Sequence, residues 1–85
     1  MKEERIGTVV NYFSRPMTAA VLIEVESLAR GDAIHFKGPV TELYHRVESM
    51  EIDRRPCNRA AAGDTVGIKL EAPVRRHDAV FRVEE

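Results

Sequence analysis

The sequence predicts an all-β fold, a single small closed barrel of six to seven antiparallel strands, with three observations behind it. Apolar residues recur at period two along most of the chain, the spacing of half-buried strands. Glycine, proline and aspartate cut those stretches at intervals near ten residues. No window carries the i, i+3, i+4, i+7 stripe of an amphipathic helix. Closure into a barrel also removes exposed strand edges.

Each element follows from its own pattern. Ile6 to Phe13 is rich in β-branched and aromatic residues and reads as a first strand. From Ala20 to Glu26, Val21, Ile23 and Val25 share one face and Leu22, Glu24 and Glu26 the other. Ile34 and Phe36 alternate with His35 and Lys37, which puts His35 toward solvent. The long segment from Leu43 to Ile52 changes parity between Val47 and Met50, and a β-bulge near Ser49 is the simplest repair. Val66, Ile68 and Leu70 alternate with Gly67 and Lys69, and Phe81 and Val83 flank Arg82. Asn58 to Ala62 reads as one helical turn ended by Gly63. Arg30-Gly31-Asp32 and Ala62-Gly63-Asp64 each precede a strand, where glycine takes a positive φ and aspartate bonds its own backbone.

Size and charge bound the function. Eighty-five residues support one domain, residues 1–85 with the barrel proper at about 6–83. Thirteen Lys+Arg against 14 Asp+Glu give a net charge of -1, so any grip on a polyanion must be local. There is no signal-peptide pattern and no apolar run long enough to span a membrane, so the expected location is cytoplasmic, without membrane contact. Cys57 is the single cysteine, which excludes an internal disulfide or a cysteine-based zinc cage.

Chemistry-bearing motifs are few. The five glycines form neither a GxxxxGK loop nor a GxGxxG turn, so no nucleotide hydrolysis by this chain is expected. His35, His45 and His77 share no ligand spacing, so no metal, cofactor or catalytic residue is assigned and the chain is read as a non-enzyme. Arg54, Arg55 and Arg59 surround Cys57, an arrangement able to activate a thiol, but no histidine base lies nearby in sequence. The same arginines follow the fourth predicted strand, and Arg75, Arg76 and His77 follow the fifth. At one end of a barrel the two clusters would make a basic rim for phosphates, with Tyr12, Phe13 and Tyr44 as candidate stacking surface.

The order Ile6-Gly7-x-Val9, Arg30-Gly31-Asp32-x-Ile34, Val47-Glu48-Ser49-Met50-Glu51-Ile52, Ala62-Gly63-Asp64-x-Val66-Gly67-Ile68 and Val74 to Val83 resembles a known barrel. It is similar to the second-domain β-barrel of translational GTPases such as elongation factor Tu and initiation factor two. Similar barrels also occur as small stand-alone proteins and at the C-terminus of collagenase-like peptidases linked to tRNA modification. The GTPase domain is absent here, and Arg76-His77-Asp78 stands where the family has glycine before the aspartate. By resemblance, Glu51 and Arg54 match pocket residues that receive the 3'-terminal adenosine of aminoacyl-tRNA. The resemblance thus implies a stand-alone translation-factor-like binding module. Its RNA contact, to a tRNA end or ribosomal RNA, would run through Glu51, Arg54, Arg55, Arg59, Arg75 and Arg76. The alternative it implies is docking on a translation GTPase, a ribosomal component or a tRNA-modifying enzyme.

Overall fold

The computed structural model describes residues 2–84. Among them are ten strands and no helix: β1 (Lys2–Phe13), β2 (Thr18–Ile23), β3 (Ser27–Ala29), β4 (Ala33–Lys37), β5 (Glu42–Arg46), β6 (Met50–Ile52), β7 (Arg55–Pro56), β8 (Arg59–Ala61), β9 (Thr65–Lys69) and β10 (Ala79–Glu84). The all-β class read from the sequence is therefore what the structure has. No helix among the described residues is long and apolar enough to cross a membrane.

Eight strands form one antiparallel sheet in the order β5-β4-β10-β1-β2-β9-β6-β7, and β3 pairs with β8 in a separate ribbon. The expected barrel closure is not present, because the end strands β5 and β7 do not pair. The reason lies between them. After β5 the chain turns back under the β3–β4 connection, where Val47 N–H donates to Asp32 O at 2.9 Å and Gly31 N–H to Val47 O at 2.8 Å. Those bonds hold Val47 to the β4 side and leave the seam to side chains. This also corrects the bulge expected near Ser49: the parity slip marks two strands at opposite ends of the sheet.

β1 runs through the middle and bends at two register shifts, Arg5/Gly7 against β10 and Val9/Asn11 against β2. An extra residue in one strand bends it and flips its alternation. Ile6 and Val9 can therefore both be buried despite their odd separation. With Val21, Ile23, Ile34, Phe36, Val66, Ile68 and Val80 they form one core, capped by Leu28 and Ala60 from the ribbon. Each large apolar side chain so buried stabilises the fold by roughly 1.5–3 kcal/mol. Residues 59–61, read from sequence as a helical turn, extend instead because Ala60 fills the core while pairing with Leu28. In β10 it is Val80 that is fully buried; Phe81 is only half-buried and sits on the opposite face, near His35.

Three turns share one construction. In each, an aspartate Oδ2 accepts the N–H three residues earlier: Ala29 to Asp32 at 2.9 Å, Ala61 to Asp64 at 2.8 Å, and Arg75 to Asp78 at 2.8 Å. The aspartate N–H returns the bond to the same residue's carbonyl at 3.0–3.1 Å. The residue before each aspartate has a positive φ: Gly31 at 94°, Gly63 at 96° and His77 at 79°. The third turn thus keeps the geometry of the other two with a histidine where they have glycine.

A cleft at Gly67 as candidate functional site

One row of residues crosses four strands. Ala20 of β2 pairs with Gly67 of β9, Gly67 with Glu51 of β6, and Glu51 with Pro56 of β7. Ala20 and Gly67 have almost no side chain, so the sheet surface is hollow there. A Cβ on Gly67 would lie 3.3 Å from Glu51 Cγ and 3.4 Å from Thr18 Cγ2, which leaves little room for a larger residue. The hollow opens into a cleft of ≈ 480 Å³. Its walls are the β1–β2 turn (Phe13, Arg15, Pro16), Thr18, Thr65, and the β6–β7 hairpin (Glu51, Asp53, Arg54).

The hairpin explains how Arg54 reaches the cleft. Ile52 pairs with Arg55, leaving Asp53 and Arg54 as a two-residue loop with φ of 52° and 64°. Two consecutive left-handed residues are the type I′ turn, whose twist matches paired strands and which ordinarily takes Asn-Gly or Asp-Gly. Aspartate suits the first position, but arginine in the second is held where glycine would sit without strain. Among the described residues, Arg15, Arg54, Glu51 and Asp53 make no side-chain hydrogen bond or ion pair, so the cleft presents both charge signs uncommitted. Phe13 adds an aromatic face, 49% exposed.

Of the six residues assigned from sequence, the structure brings only Glu51 and Arg54 into this cleft. Arg55 lies exposed on β7. Arg59 sits on the ribbon, where its Nη2 donates to Ser27 Oγ at 3.1 Å. Arg75 and Arg76 are in the turn before β10, which is fastened to β1 through His77 N–H to Val9 O at 2.8 Å. No hydrogen bond or ion pair among the described residues joins the two arginine groups. Tyr12 packs against the core and Tyr44 lies elsewhere, so Phe13 alone of the three aromatics lines the cleft. Sequence reasoning missed Arg15, Asp53 and Gly67. The signal was present at Gly67, since glycine inside an alternating strand marks a close approach.

A second polar cluster lies on β1, β4 and β5. His35, expected to face solvent, is only 4% exposed. Its ring stacks on Tyr44 with centroids 4.0 Å apart and planes 6° from parallel. Nδ1 lies 2.8 Å from Glu3 Oε1 and Nε2 2.7 Å from Glu42 Oε2. Both ring nitrogens of His35 thus face a carboxylate oxygen. The hydrogen bond from His35 holds the Glu3 carboxyl below its ordinary range, helped by the Tyr44 hydroxyl. Tyr44 is pushed up, first by partial loss of water around its hydroxyl and then by its bond to Glu3. Cys57 is half-buried against the core. No group of three or more His, Cys, Asp and Glu among the described residues is placed to hold a metal ion.

No protein-family model matches the sequence. Over 81 residues, 94% of this chain, it is 30% identical to a collagenase of Porphyromonas gingivalis and 33% identical to an uncharacterized protease of Methanocaldococcus jannaschii. The chain spans 22% and 20% of the length of those two proteins. Two crystal structures of the C-terminal domain of a Geobacillus thermoleovorans protein described as a U32 peptidase superpose with TM-scores of 0.84 and 0.86 at 20% and 19% identity. Those alignments cover 91% and 95% of this chain and 96% and 93% of the other. The relatives and structural neighbours thus carry peptidase names, which overturns the expected translation-factor family and the translation-related function drawn from it. What the likeness establishes is the fold alone, that of a peptidase C-terminal domain, shared over 91–95% of this chain.

Proposed function

We propose that this chain is a U32-peptidase-type C-terminal domain that acts by binding, with the Gly67 cleft as its contact site and the catalytic body of such a peptidase as its partner. The observation that carries this is the pair of coverages. The chain fills 93–96% of a peptidase C-terminal domain while spanning about a fifth of the peptidase relatives. The catalytic machinery then belongs to the other four fifths. The cleft supports a binding role: its hydroxyls, Thr18 and Thr65, have no histidine beside them to act as base, and its charges are poised for a partner. Glu51 and Arg54 offer opposite charges a few residues apart, suited to complementary charges on a protein surface.

The test mixes the purified chain with a U32 peptidase body deprived of its own C-terminal domain. Titration calorimetry should show binding that weakens about tenfold in Glu51→Ala and Arg54→Ala, with Lys2→Ala unchanged. The chain alone should leave gelatin uncut. Gelatin cleavage by the isolated chain, or binding indifferent to both cleft substitutions, would reject the reading.

A further inference from the structure

Thr65, Gly67 and Lys69 face outward from β9, at intervals of about 6.7 Å along the strand. A second hollow of ≈ 210 Å³ adjoins the Gly67 cleft. β9 orders the two: Thr65 lines only the first, Gly67 both, and Lys69 only the second. They therefore join into one trough over a stretch of strand roughly 13 Å long. Its waist is at Gly67. A Cβ there would lie 3.3 Å from Glu51 Cγ, 3.7 Å from Glu51 Oε1 and 3.4 Å from Thr18 Cγ2, so β6 and β2 close on the glycine from either side. Charge changes sign twice along the trough. Arg15, Arg54 and Asp53 line the first hollow alone, two cations against one carboxylate. Glu51 lines both hollows and leans over the waist. Lys69 is the charge confined to the second. None of the five makes a side-chain hydrogen bond or ion pair among the described residues. The order is positive, negative, positive.

We propose that this trough receives an extended segment of the partner with the pattern acid-x-base-x-acid. The inference rests on the cleft being the contact site for that partner, and it names what the partner inserts. An extended chain turns residues i, i+2 and i+4 to one side at about the same 6.7 Å repeat as the floor of the trough. The first carboxylate then enters the hollow of Arg15 and Arg54, whose forked guanidinium groups match carboxylate geometry. The basic residue lies over Glu51, and the second carboxylate meets Lys69. The alternation selects this occupant. A uniformly anionic chain would set a negative group on Glu51, and a uniformly cationic one would set positive groups on the arginines and Lys69. The alternation also fixes the register. Sliding the segment by two residues leaves two contacts, and both then oppose like charges. The pattern reads the same in both directions, so either chain polarity satisfies it. Gly67 leaves room for the segment to cross the waist, because no side chain of β9 rises there.

The probe is a blocked synthetic peptide, Gly-Glu-Thr-Lys-Thr-Glu-Gly, titrated at low salt into the isotope-labelled full chain while amide shifts are followed by NMR. A short flexible peptide making exposed ion pairs should bind with a dissociation constant on the order of 1 mM, moving the amides of Thr18, Glu51, Gly67 and Lys69. The reversed peptide, Gly-Lys-Thr-Glu-Thr-Lys-Gly, should bind about tenfold or more weakly. Lys69→Ala, outside the first hollow, should weaken the alternating peptide roughly threefold. Glu51→Lys should invert the preference, taking Gly-Glu-Thr-Glu-Thr-Glu-Gly more tightly than the alternating peptide. Glu51 and Lys69 are both exposed, and circular dichroism of each variant confirms its fold. Equal binding of the forward and reversed peptides overturns the proposal, as does a preference that Glu51→Lys leaves in place. A peptidase body that binds through the cleft while the alternating peptide does not bind would strike out the segment and leave the binding role standing.

Discussion

Replacing Arg54 by glycine should make the domain more stable while removing a residue of the candidate site. Arg54 occupies the second loop position of a type I′ hairpin at φ 64°. A side-chain-bearing L-residue in the left-handed region costs about 1–2 kcal/mol, from the closeness of Cβ to the following carbonyl. Glycine escapes that term but surrenders roughly 0.5–1 kcal/mol of extra chain entropy on folding. Arg54 makes no side-chain hydrogen bond or ion pair among the described residues, so its removal breaks no polar contact within the fold. The net expectation is a gain of about 0.5–1 kcal/mol, or roughly 2–8 °C in melting temperature for a domain of this size. Thermal unfolding followed by circular dichroism measures it. Asp53→Gly is the control: at φ 52° aspartate already tolerates the left-handed region, so the change should stay within about 0.5 kcal/mol. An Arg54→Gly chain that melts at or below the wild type would refute the strain argument. It would show that the guanidinium contributes to stability after all.

Other outcomes follow from the same geometry. His77→Gly should raise the melting temperature by a similar few degrees, because His77 holds φ 79° in a turn whose two counterparts use glycine. Gly7→Ala should cost at least about 2–3 kcal/mol in urea unfolding, since its Cβ would collide with the Leu22 carbonyl of the adjoining strand. Gly63→Ala, with open space around it but φ 96°, should cost only about 1 kcal/mol. For Glu3 the folded carboxyl titrates below its unfolded value of 4.5, so its stabilising bond to His35 is present above that pH and lost as pH falls through the depressed folded value. Melting temperatures between pH 3 and 7 should therefore fall in acid less steeply for Glu3→Gln than for the wild type.

The strands were legible in the sequence wherever one face is buried, because period two is a direct print of the pleat. Val21/Ile23, Ile34/Phe36 and Val66/Ile68 are all fully buried as their alternation demands. The two Gly-Asp turns, at Asp32 and Asp64, were legible for a similar reason, since each needs only local residues, while histidine before Asp78 hid the third. What failed required knowing which strand lies beside which. The parity change before Met50 has two explanations, a bulge or a change of sheet position, and only long-range pairing distinguishes them. His35 follows the same logic. Its strand position is outward, and alternation cannot foresee that Tyr44 stacks over it while carboxylates from β1 and β5 close on its nitrogens. Glu51 and Arg54 were singled out on a resemblance whose family did not hold, yet both line the cleft.

The placement of Glu51 and Arg54 beside one cleft has a structural origin that does not depend on family. A type I′ hairpin beside a strand glycine projects its second loop residue over the hollow that the glycine leaves, and the residue preceding the hairpin pair borders that hollow from below. Here those places are filled by Arg54, Gly67 and Glu51. Local stability alone would put glycine in the second loop position. Arg54 there, without a side-chain hydrogen bond or ion pair among the described residues and beside an opening of ≈ 480 Å³, carries a backbone cost that a glycine would not. The arginines outside the cleft show no such cost: Arg55 and Arg59 occupy ordinary strand positions, and Arg75 and Arg76 have ordinary negative φ in their turn. Among the six arginine and glutamate candidates, Arg54 alone combines a positive φ with a place in the cleft wall.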